Sequence, residues 1–418
     1  MKILIVTARY HPETFSITNI AEQFVSFGHD VTVLTGRPHY GLGKPYPGYE
    51  KFVRDEIING VKVIRVNEHI RKRGTLSLIQ NYLSIKSLFK KELKRIDGSK
   101  FDVVISHVIS PIFTMEGIEK FCKKYNIPHL HYGLDLWPES FIATGFLKRN
   151  GLFFNIMKKH CIKLYKGCDY ITFASPCTEY YFHDYLKVDI PFKHIYQPCL
   201  TLPPKMELLD SHEFKKDGRI RILYCGTIAK FHHLDIFIDA LHNTPNANQT
   251  FSVDIVGSGS ELENIKELVK DYHMEDMVTF YGRVSKEETI NYYLKADVLF
   301  VPLFKNSYTS DMIPQKVIEY FMYGKPILGM LFGDGRDLIE KASKNNILCD
   351  TNQTALCESL SLIAKYDEKT LNQTGKENRN FFDSNKRFSL PTVCTELLDL
   401  CDELIKNKNR EGCKWNEK

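Results

Sequence analysis

The sequence lacks the short motifs that mark the commoner nucleotide and metal enzymes. It has no G-x-x-x-x-G-K-[ST] loop, which disfavours a P-loop ATPase. No G-x-G-x-x-G follows its first apolar segment, which disfavours a dehydrogenase. It also has no D-x-D pair to hold a metal against phosphate, no H-x-x-x-H and no G-x-S-x-G. We therefore expect neither a metal site nor a cofactor.

Long apolar runs and paired cysteines are absent as well. No run approaches the roughly 18 apolar residues of a membrane-spanning helix. The opening segment Met1-Lys-Ile-Leu-Ile-Val is too short for a signal peptide and is followed by polar Thr7 and Arg9, so it predicts a buried strand. The 11 cysteines are scattered without a C-x-x-C pair. This pattern favours a reduced, cytoplasmic protein over a disulfide scaffold or a zinc site.

Positive charge is concentrated in the first half of the chain. Residues 1–200 contain 28 Lys and Arg against 18 Asp and Glu. Much of the excess lies among apolar residues between Arg71 and Arg95. One interpretation is an amphipathic basic helix in peripheral contact with the anionic inner leaflet of the plasma membrane. The other is a helix packed on its own domain with a solvated basic face; nothing indicates a nucleic-acid partner. The basic residues are Arg71, Lys72, Arg73, Lys86, Lys90, Lys91, Lys94 and Arg95.

The pattern of elements predicts two doubly wound α/β domains in the 418 residues. Short apolar strands alternate with helical patterns, as expected for a parallel sheet covered on both faces. The pattern restarts after a Pro-containing linker near residues 200–218. We predict domains over 1–205 and 206–390, with a C-terminal helix in 391–418 that could return to the first domain. The clearest predicted strands are Lys2–Ala8, Asp30–Thr35, Val61–Val66, Phe101–Ser106, His129–Tyr132, Tyr170–Phe173, Ile220–Cys225, Phe251–Val256, Val278–Tyr281 and Val298–Pro302.

The segment from Asp311 to Pro326 predicts a short helix with a phosphate-binding start. Pro314 suits the first helical turn, and Gly324 suits the left-handed residue after the last turn. Lys316 and Glu319 are three residues apart and so share one face. A helix start favours phosphate, and a lysine adds a full positive charge. A carboxylate one turn later can accept from ribose hydroxyls, so the segment indicates a nucleotide-diphosphate site.

Several segments, in a fixed order and spacing, resemble family 4 of the glycosyltransferases. Glu319 occupies the second glutamate of that family's E-x7-E motif. Asp135-Leu-Trp-Pro-Glu-Ser and Thr35-Gly-Arg-Pro-His-Tyr are similar to the branch that builds bacterial capsule, O-antigen and exopolysaccharide units. The remaining segments are Gly28-His-Asp-Val-Thr-Val-Leu-Thr-Gly, Ile222-Leu-Tyr-Cys-Gly-Thr, Val253-Asp-Ile-Val-Gly-Ser-Gly, Val278-Thr-Phe-Tyr-Gly-Arg-Val and Tyr292-Tyr-Leu-Lys-Ala-Asp-Val-Leu-Phe-Val-Pro.

The resemblance implies the GT-B fold, in which two Rossmann-like domains face each other across a cleft. The second domain would bind a nucleotide-sugar donor, UDP-linked, through Gly226, Lys230, Gly257, Gly282, Arg283, Val284, Pro314, Lys316 and Glu319. The first would hold the acceptor, with His107, Asp135 and Glu139 near the reacting groups, and Asp311 would reach the donor sugar. Other interpretations stay open: turn chemistry for the glycines, surface positions for Lys230 and Arg283, and a core histidine for His107.

The chain departs from the family pattern at informative positions. The first acid of E-x7-E is Asp311 instead of glutamate. Phe15-Ser16 replaces the usual glycine pair of the N-terminal loop. Thr227 and His232 stand where many members carry an arginine and a lysine for the diphosphate, which leaves Lys230 and Lys316 as the available cations.

The function that the resemblance implies is a retaining, metal-independent transferase. It would move a sugar, an N-acetylated or deoxy hexose, from a UDP-sugar to a sugar acceptor, lipid-linked, during the synthesis of a bacterial surface polysaccharide such as capsule or lipopolysaccharide. One alternative is a nucleotide-sugar epimerase of the same architecture. Another is a catalytically inactive subunit that binds a nucleotide sugar, since Asp311 and the missing diphosphate pair depart from the pattern.

Overall fold

The computed structural model describes residues 1–72, 74–143, 149, 151–201, 203–210, 212–305 and 308–416. Arg73 of the basic segment, and Leu202 and Ser211 of the predicted linker, lie outside the described residues. The chain divides into two compact units. The first unit comprises residues 1–200 and 387–418, and the second comprises residues 201–386.

The first unit is built on an eight-stranded sheet. Its strands are β1 Lys2–Thr7, β2 Asp30–Gly36, β3 Asp55–Ile58, β4 Val61–Val66, β5 Val103–Val108, β6 His129–Gly133, β7 Tyr170–Phe173 and β8 Phe192–His194. Its helices up to residue 200 are α1 Ser16–Ser26, α2 Thr75–Leu93, α3 Ile118–Tyr125, α4 Glu139–Ala143, α5 Leu152–Tyr165 and α6 Cys177–Tyr180. The strand order is β3-β4-β2-β1-β5-β6-β7-β8, and every pairing is parallel except that of β3 with β4.

Burial explains why these segments form strands. In β1 every residue after Lys2 is buried, and β5 is buried throughout. A strand covered on both faces reads as a continuous apolar run, which is the signature of a parallel sheet. The short edge strands β3 and β8 were missed by sequence reasoning, because one or both faces remain partly exposed and the apolar signal is weak.

The second unit is built on a six-stranded sheet in which all pairings are parallel. The order is β11-β10-β9-β12-β13-β14. Its strands are β9 Ile220–Cys225, β10 Phe251–Val256, β11 Val278–Gly282, β12 Val298–Pro302, β13 Ile327–Met330 and β14 Ile347–Cys349. Its helices are α7 Met206–Asp210, α8 Leu234–Asn243, α9 Ala247–Thr250, α10 Leu262–Asp271, α11 Lys286–Lys295, α12 Gln315–Met322, α13 Gly333–Ala342, α14 Gln353–Ile363 and α15 Glu368–Ser384.

The last helix, α16 Leu390–Asn416, belongs to the first unit. Its apolar residues Val393, Leu397 and Cys401 join the core that α1 and the sheet form. Arg387, just before the helix, donates to the carbonyl of His194 at 2.7 Å. The chain therefore leaves the first unit after residue 200 and re-enters it at residue 387, a few residues before each predicted boundary.

Each sheet has a point where the direction of winding reverses. In the first unit the chain winds outward from β1 through β2 and β4, and in the opposite direction from β5 through β8. In the second unit the reversal lies between β9 and β12. Ligands of open α/β sheets bind beyond the carboxyl ends of the strands at such points. The expected α/β class with two parallel-sheet units is confirmed, and the fold predicts where each unit holds a ligand.

Among the described residues, none of the helices is long and apolar enough to cross a lipid bilayer.

Candidate functional site

Three glycines lie at the carboxyl ends of the neighbouring strands β9, β10 and β11 in the second unit. Gly226 donates its N–H to the Val256 carbonyl at 2.9 Å, and Gly257 donates to the Gly282 carbonyl at 2.8 Å. A Cβ on Gly257 would lie 1.8 Å from the carbonyl oxygen of Gly226. The loops after β9 and β10 therefore touch through their backbones, which requires glycine at position 257. The three predicted glycine positions lie side by side at one edge of the sheet.

Helix α12 begins later than the sequence indicated. It spans Gln315–Met322, and Pro314 is its extended N-cap, with ψ of 130°, instead of a residue of the first turn. Asp311 lies in a separate 3-10 turn, Tyr308–Asp311. The physical reason is that a residue before proline avoids the helical region, so Ile313 cannot continue a helix into Pro314. The prediction of a single helix through this segment was wrong at its start, whereas Gly324 does adopt the left-handed conformation, with φ of 59°.

Lys316, in the first turn of α12, has a buried ammonium that forms no hydrogen bond with any described residue. Its Nζ lies 4.6 Å from the centre of the Tyr224 ring, and a Cβ on Gly226 would come within 2.8 Å of it. Burial lowers the pKa of Lys316 to about 8, while the neighbouring Cys225 and Glu319 act to raise it. A desolvated cation with no acceptor is costly. The arrangement suits an anion that would arrive beside Gly226, where the reversal of the sheet also lies.

Glu319 lies one turn further along the same helix. Thr201 donates its hydroxyl to Glu319 Oε1 at 3.3 Å. The helix itself is held over the sheet by Tyr320, whose hydroxyl donates to the carbonyl of Phe300 in β12 at 3.1 Å. Lys316 and Glu319 therefore stand at the reversal between β9 and β12 on a helix that packing keeps in place.

The structure also positions the residue that replaces the usual lysine of the diphosphate site. His232 is buried, and its Nδ1 forms no hydrogen bond within the described part of the chain. Burial, followed by the charge of Lys316, lowers its pKa to about 3. Its ring lies 6.0 Å from that of Tyr224, which also contacts Lys316. Sequence reasoning did not select Tyr224, although its place two residues before Gly226 on β9 was a signal.

Other predicted donor residues are less closely grouped. Lys230 and Arg283 are exposed, and within the described part of the chain their side chains make no hydrogen bond or ion pair. Val284 is half-buried. Asp311 is half-buried, and its pKa is raised by burial, with Lys305 acting in the opposite direction. A Cβ on Gly333 would lie 2.4 Å from the Asp311 carbonyl, so this turn packs against the start of α13.

In the first unit, His107 lies at the reversal between β1 and β5. It is fully buried, and its Nδ1 is 3.2 Å from the hydroxyl of Thr7 at the end of β1. The Nε2 of His107 forms no hydrogen bond with any described residue. Burial lowers its pKa to about 3, so the ring is neutral at physiological pH. A neutral histidine can accept or donate one hydrogen bond but carries no charge.

Asp135 follows β6 at the same edge of the sheet. Its side chain is half-buried, and no hydrogen bond to its carboxylate is present among the described residues. Burial raises its pKa to about 7. A carboxyl group that titrates near neutral pH can take or return a proton under physiological conditions.

Glu139 lies deeper, at the start of α4. It is fully buried, and Arg149 Nη2 donates to its Oε2 at 2.7 Å. Tyr181 donates to Oε1 at 3.4 Å. Burial raises the pKa of Glu139, and Arg149 opposes the shift. These partners give Glu139 a part in holding α4 beside Asp135.

Sequence reasoning missed a buried charge cluster at this edge. Arg9, just after β1, donates to Glu68 Oε1 at 3.1 Å, and both side chains are buried. Glu68 accepts from the Arg37 N–H at 3.0 Å, and Glu13 accepts from the His39 N–H at 2.8 Å. These carboxylates anchor the start of the loop that follows β2, a segment rich in glycine, proline and tyrosine from Pro38 to Tyr49. The polar residues directly after β1 and β4 were the available signal.

Each of the two units matches a known protein family. Residues 15–198 match the family described as Glycosyltransferase Family 4, and residues 206–381 match Glycosyl transferases group 1. A glycosyltransferase of Haemophilus influenzae is 22% identical over 360 residues, which cover 86% of this chain and 88% of that protein. The mannosylfructose-phosphate synthase of Agrobacterium fabrum is 22% identical over 243 residues, 51% of each chain.

Solved structures share the fold at low sequence identity. Sucrose-phosphate synthase from Thermosynechococcus elongatus has a TM-score of 0.73 at 16% identity, over 97% of this chain and 99% of that one. HepE of Anabaena in complex with UDP and glucose has a TM-score of 0.64 at 14% identity, over 96% and 100%. The family models, the relatives and the fold agree, so the chain belongs to the glycosyltransferases, with a family 4 domain followed by a group 1 domain in the GT-B fold.

Proposed function

We propose that the protein is a retaining glycosyltransferase that uses a UDP-sugar. The second unit would bind the donor. The observation that carries this assignment is the buried ammonium of Lys316 beside Gly226, which has no hydrogen-bond partner among the described residues. The transferred sugar is an N-acetylated or deoxy hexose, as in the branch that the sequence resembles. That HepE of Anabaena was crystallised with UDP and with UDP-glucose supports a uridine nucleotide.

Donor binding would supply what Lys316 lacks. A diphosphate at Gly226 offers oxygen acceptors to the ammonium, and the positive end of the α12 dipole also favours a phosphate there. The same contacts would stabilise the negative charge that develops on the departing UDP, without reorganisation during the reaction. Since protein groups neutralise this charge, we propose that transfer is metal-independent, and activity should persist in excess EDTA.

Glu319 would bind the ribose of the donor. Its carboxylate is one helical turn beyond Lys316, on the same face, and it already accepts a hydrogen bond from Thr201. A carboxylate can accept from both hydroxyls of a ribose. Asp311, in the turn before α12, would contact the donor sugar in place of the usual glutamate.

The first unit would orient the acceptor. The carboxylate of Asp135 accepts no hydrogen bond from a described residue, and burial raises its pKa to about 7, so it can accept a proton from an attacking hydroxyl. His107 would offer a neutral ring at the same sheet edge, and Glu139 would support the segment that carries Asp135. The acceptor is a sugar on a lipid carrier at the inner leaflet, and the product is part of a bacterial surface polysaccharide.

A panel of nucleotide sugars with and without acceptor tests the assignment. We expect UDP release only when a UDP-sugar and an acceptor are both present. A new nucleotide sugar formed from the donor alone would instead indicate an epimerase. Binding of UDP-sugar without turnover over any acceptor would indicate an inactive subunit.

Replacement of Glu319 tests the ribose contact. Glu319→Ala should lower kcat/KM at least about tenfold, since a hydrogen bond to a charged group is worth about 1.5–3 kcal/mol. Glu340→Ala on α13 removes an exposed carboxylate that pairs with Lys344, just after the helix, and it should leave activity unchanged. Turnover in Glu319→Ala equal to that in Glu340→Ala would contradict the role.

A further inference from the structure

The structure separates the apolar residues of the basic segment into two faces of α2. Leu78, Ile85 and Phe89 are buried against the first unit. A second stripe, Leu76, Ile79 and Leu83, points to solvent with 49% to 69% of each residue exposed. A helix packed only on its own domain would expose polar residues there. The two interpretations of the basic segment thus describe different faces of one helix.

Helix α5 carries a matching stripe at its start. Leu152, Phe153 and Ile156 are 54% to 73% exposed. The opposite face of α5 is buried through Phe154, Cys161 and Tyr165. The start of α5 therefore also presents large apolar side chains that its own unit does not cover.

The two stripes belong to one surface. Lys86 Nζ of α2 and His160 Nε2 of α5 lie 3.2 Å and 2.7 Å from the same oxygen, Oε1 of Glu116. Leu83 and Ile79 precede Lys86 by three and seven residues, and Ile156 and Phe153 precede His160 by four and seven, so each stripe shares the face of its contact residue. Helix α2 lies in the connection from β4 to β5, and α5 lies in the connection from β6 to β7, so both connections cross the sheet in the same direction. Because crossovers between parallel strands are right-handed, the two helices lie on the same side of the sheet.

A set of exposed apolar side chains of this kind indicates a binding surface. Soluble proteins rarely leave large apolar side chains together on the surface unless they bind something. We name the two stripes the apolar patch: Leu76, Ile79, Leu83, Leu152, Phe153 and Ile156.

The charged residues of α2 and α5 are almost all positive. Lys90 continues the exposed face of α2, and Lys163 continues that of α5; both are exposed. Glu92 is the single acidic residue of the two helices, and it is buried and paired with Arg54 and Arg95. An apolar centre with a cationic margin complements an interface whose headgroups are anionic and whose interior is hydrocarbon.

We propose that the apolar patch is a membrane-docking surface that inserts into the headgroup region of an anionic lipid leaflet. This rests on the proposed function, since it explains how a lipid-linked acceptor would be met. Both helices begin at the carboxyl edge of the sheet, the edge that also carries Asp135 and His107. A leaflet bound there would bring a sugar on a lipid carrier to the end of the first unit that holds the acceptor residues.

Vesicle sedimentation tests the surface directly. The full chain should bind phosphatidylcholine vesicles that contain phosphatidylglycerol and bind pure phosphatidylcholine far less. The triple variant Leu76→Ser, Ile79→Ser, Leu83→Ser and the double variant Leu152→Ser, Phe153→Ser should each lower partitioning about tenfold or more, since each removes apolar area from the bound surface. Lys90→Glu with Lys163→Glu should remove the preference for phosphatidylglycerol.

Matched controls keep the result interpretable. Ile57→Ser on β3 and Leu362→Ser on α14 change side chains that are 75% and 48% exposed elsewhere, and both should bind vesicles as the parent does. Absence of vesicle binding by the parent, or patch variants that bind equally well, would overturn the surface. Light scattering that shows a dimer in the parent and monomers in the patch variants would assign the patch to self-association instead. UDP release with a water-soluble acceptor is measured separately, so loss of docking and failure of the transferase assignment are distinguishable.

Discussion

Lys316 holds its ammonium 4.6 Å from the ring centre of Tyr224, where it is buried and has no hydrogen-bond partner in the part of the chain that the structure describes. The two residues are far apart in the chain, and β9 and α12 bring them together at the reversal of the second sheet. A cation–π contact alone is a weak substitute for hydration. The site is therefore organised for an anion before any donor binds.

The affinity for UDP should fall with rising pH above about 8. The pKa of free Lys316 is lowered to about 8 by burial, and a bound diphosphate favours the charged form and raises it. Below pH 8 the lysine is already charged, so affinity is flat; above it, binding requires proton uptake and weakens by up to about tenfold per pH unit. Calorimetric titration with UDP between pH 7 and 9 measures this.

Lys316→Arg is the matched control, because an arginine stays charged throughout this range. It should give a flat profile, and Lys316→Gln should bind UDP weakly at every pH. A flat profile in the parent protein would contradict the assignment of the anion to Lys316.

Asp135→Asn should lower kcat by roughly a hundredfold or more, the usual contribution of a positioned proton acceptor. The parent's kcat should rise with pH through about 7, because burial raises the pKa of Asp135 to about 7 and only the ionised form accepts a proton. UDP affinity should not change, because the proposed donor residues belong to the second unit. Asp102→Asn, at the amino end of β5, where the carboxylate accepts from the Lys2 N–H at 2.6 Å, should keep normal kcat. A pH profile of Asp135→Asn with the parent's inflection would argue against the role.

Gly257→Ala should weaken UDP binding at least about tenfold, since the new Cβ would lie 1.8 Å from the Gly226 carbonyl and must push the two loops apart. Gly218→Ala is a suitable comparison. Gly218 also has a positive φ, 76°, but nothing lies within 4 Å of its Cβ position. It should lose about 1–2 kcal/mol of stability through backbone strain and keep its affinity. Equal UDP affinities in the two variants would show that the loop contact does not shape the donor site.

Lys325→Met should stabilise the protein more at pH 7.5 than at pH 9. Lys325 is buried, donates to the Leu294 carbonyl at 3.2 Å, and has a pKa lowered by burial to about 7. The unfolded lysine titrates near pH 10.4, so between these values the unfolded state binds the extra proton and stability rises with pH, by up to about 1.4 kcal/mol per pH unit. Urea denaturation at both pH values measures the difference. Lys295 is exposed, so Lys295→Met should change the stability equally at the two pH values. An equal change for Lys325→Met would contradict the lowered pKa of Lys325.

Most strands of the two sheets could be predicted because they are buried on both faces. Ile220–Cys225, Phe251–Val256 and Val298–Pro302 are short, mostly apolar segments, interrupted only by Arg221, Ser252 and Asp254, and they form strands with those bounds. The three-residue strands β8 and β14 could not be recognised, since they depend on pairing with a neighbour more than on their own pattern. The predicted start of α12 was wrong because Pro314 keeps the preceding residue, Ile313, out of the helical conformation.

The two-unit α/β fold and the glycosyltransferase family follow from local pattern and motif spacing along the chain, as does the shared helix face of Lys316 and Glu319. By contrast, three-dimensional packing leaves the Lys316 ammonium without a hydrogen-bond partner among the described residues and raises the pKa of Asp135 to about 7, because desolvation depends on what surrounds a group. It also decided which apolar residues of α2 face the core and which join α5 at the surface. Periodicity identifies the apolar positions of a helix, but the face that is covered depends on neighbours distant in the chain.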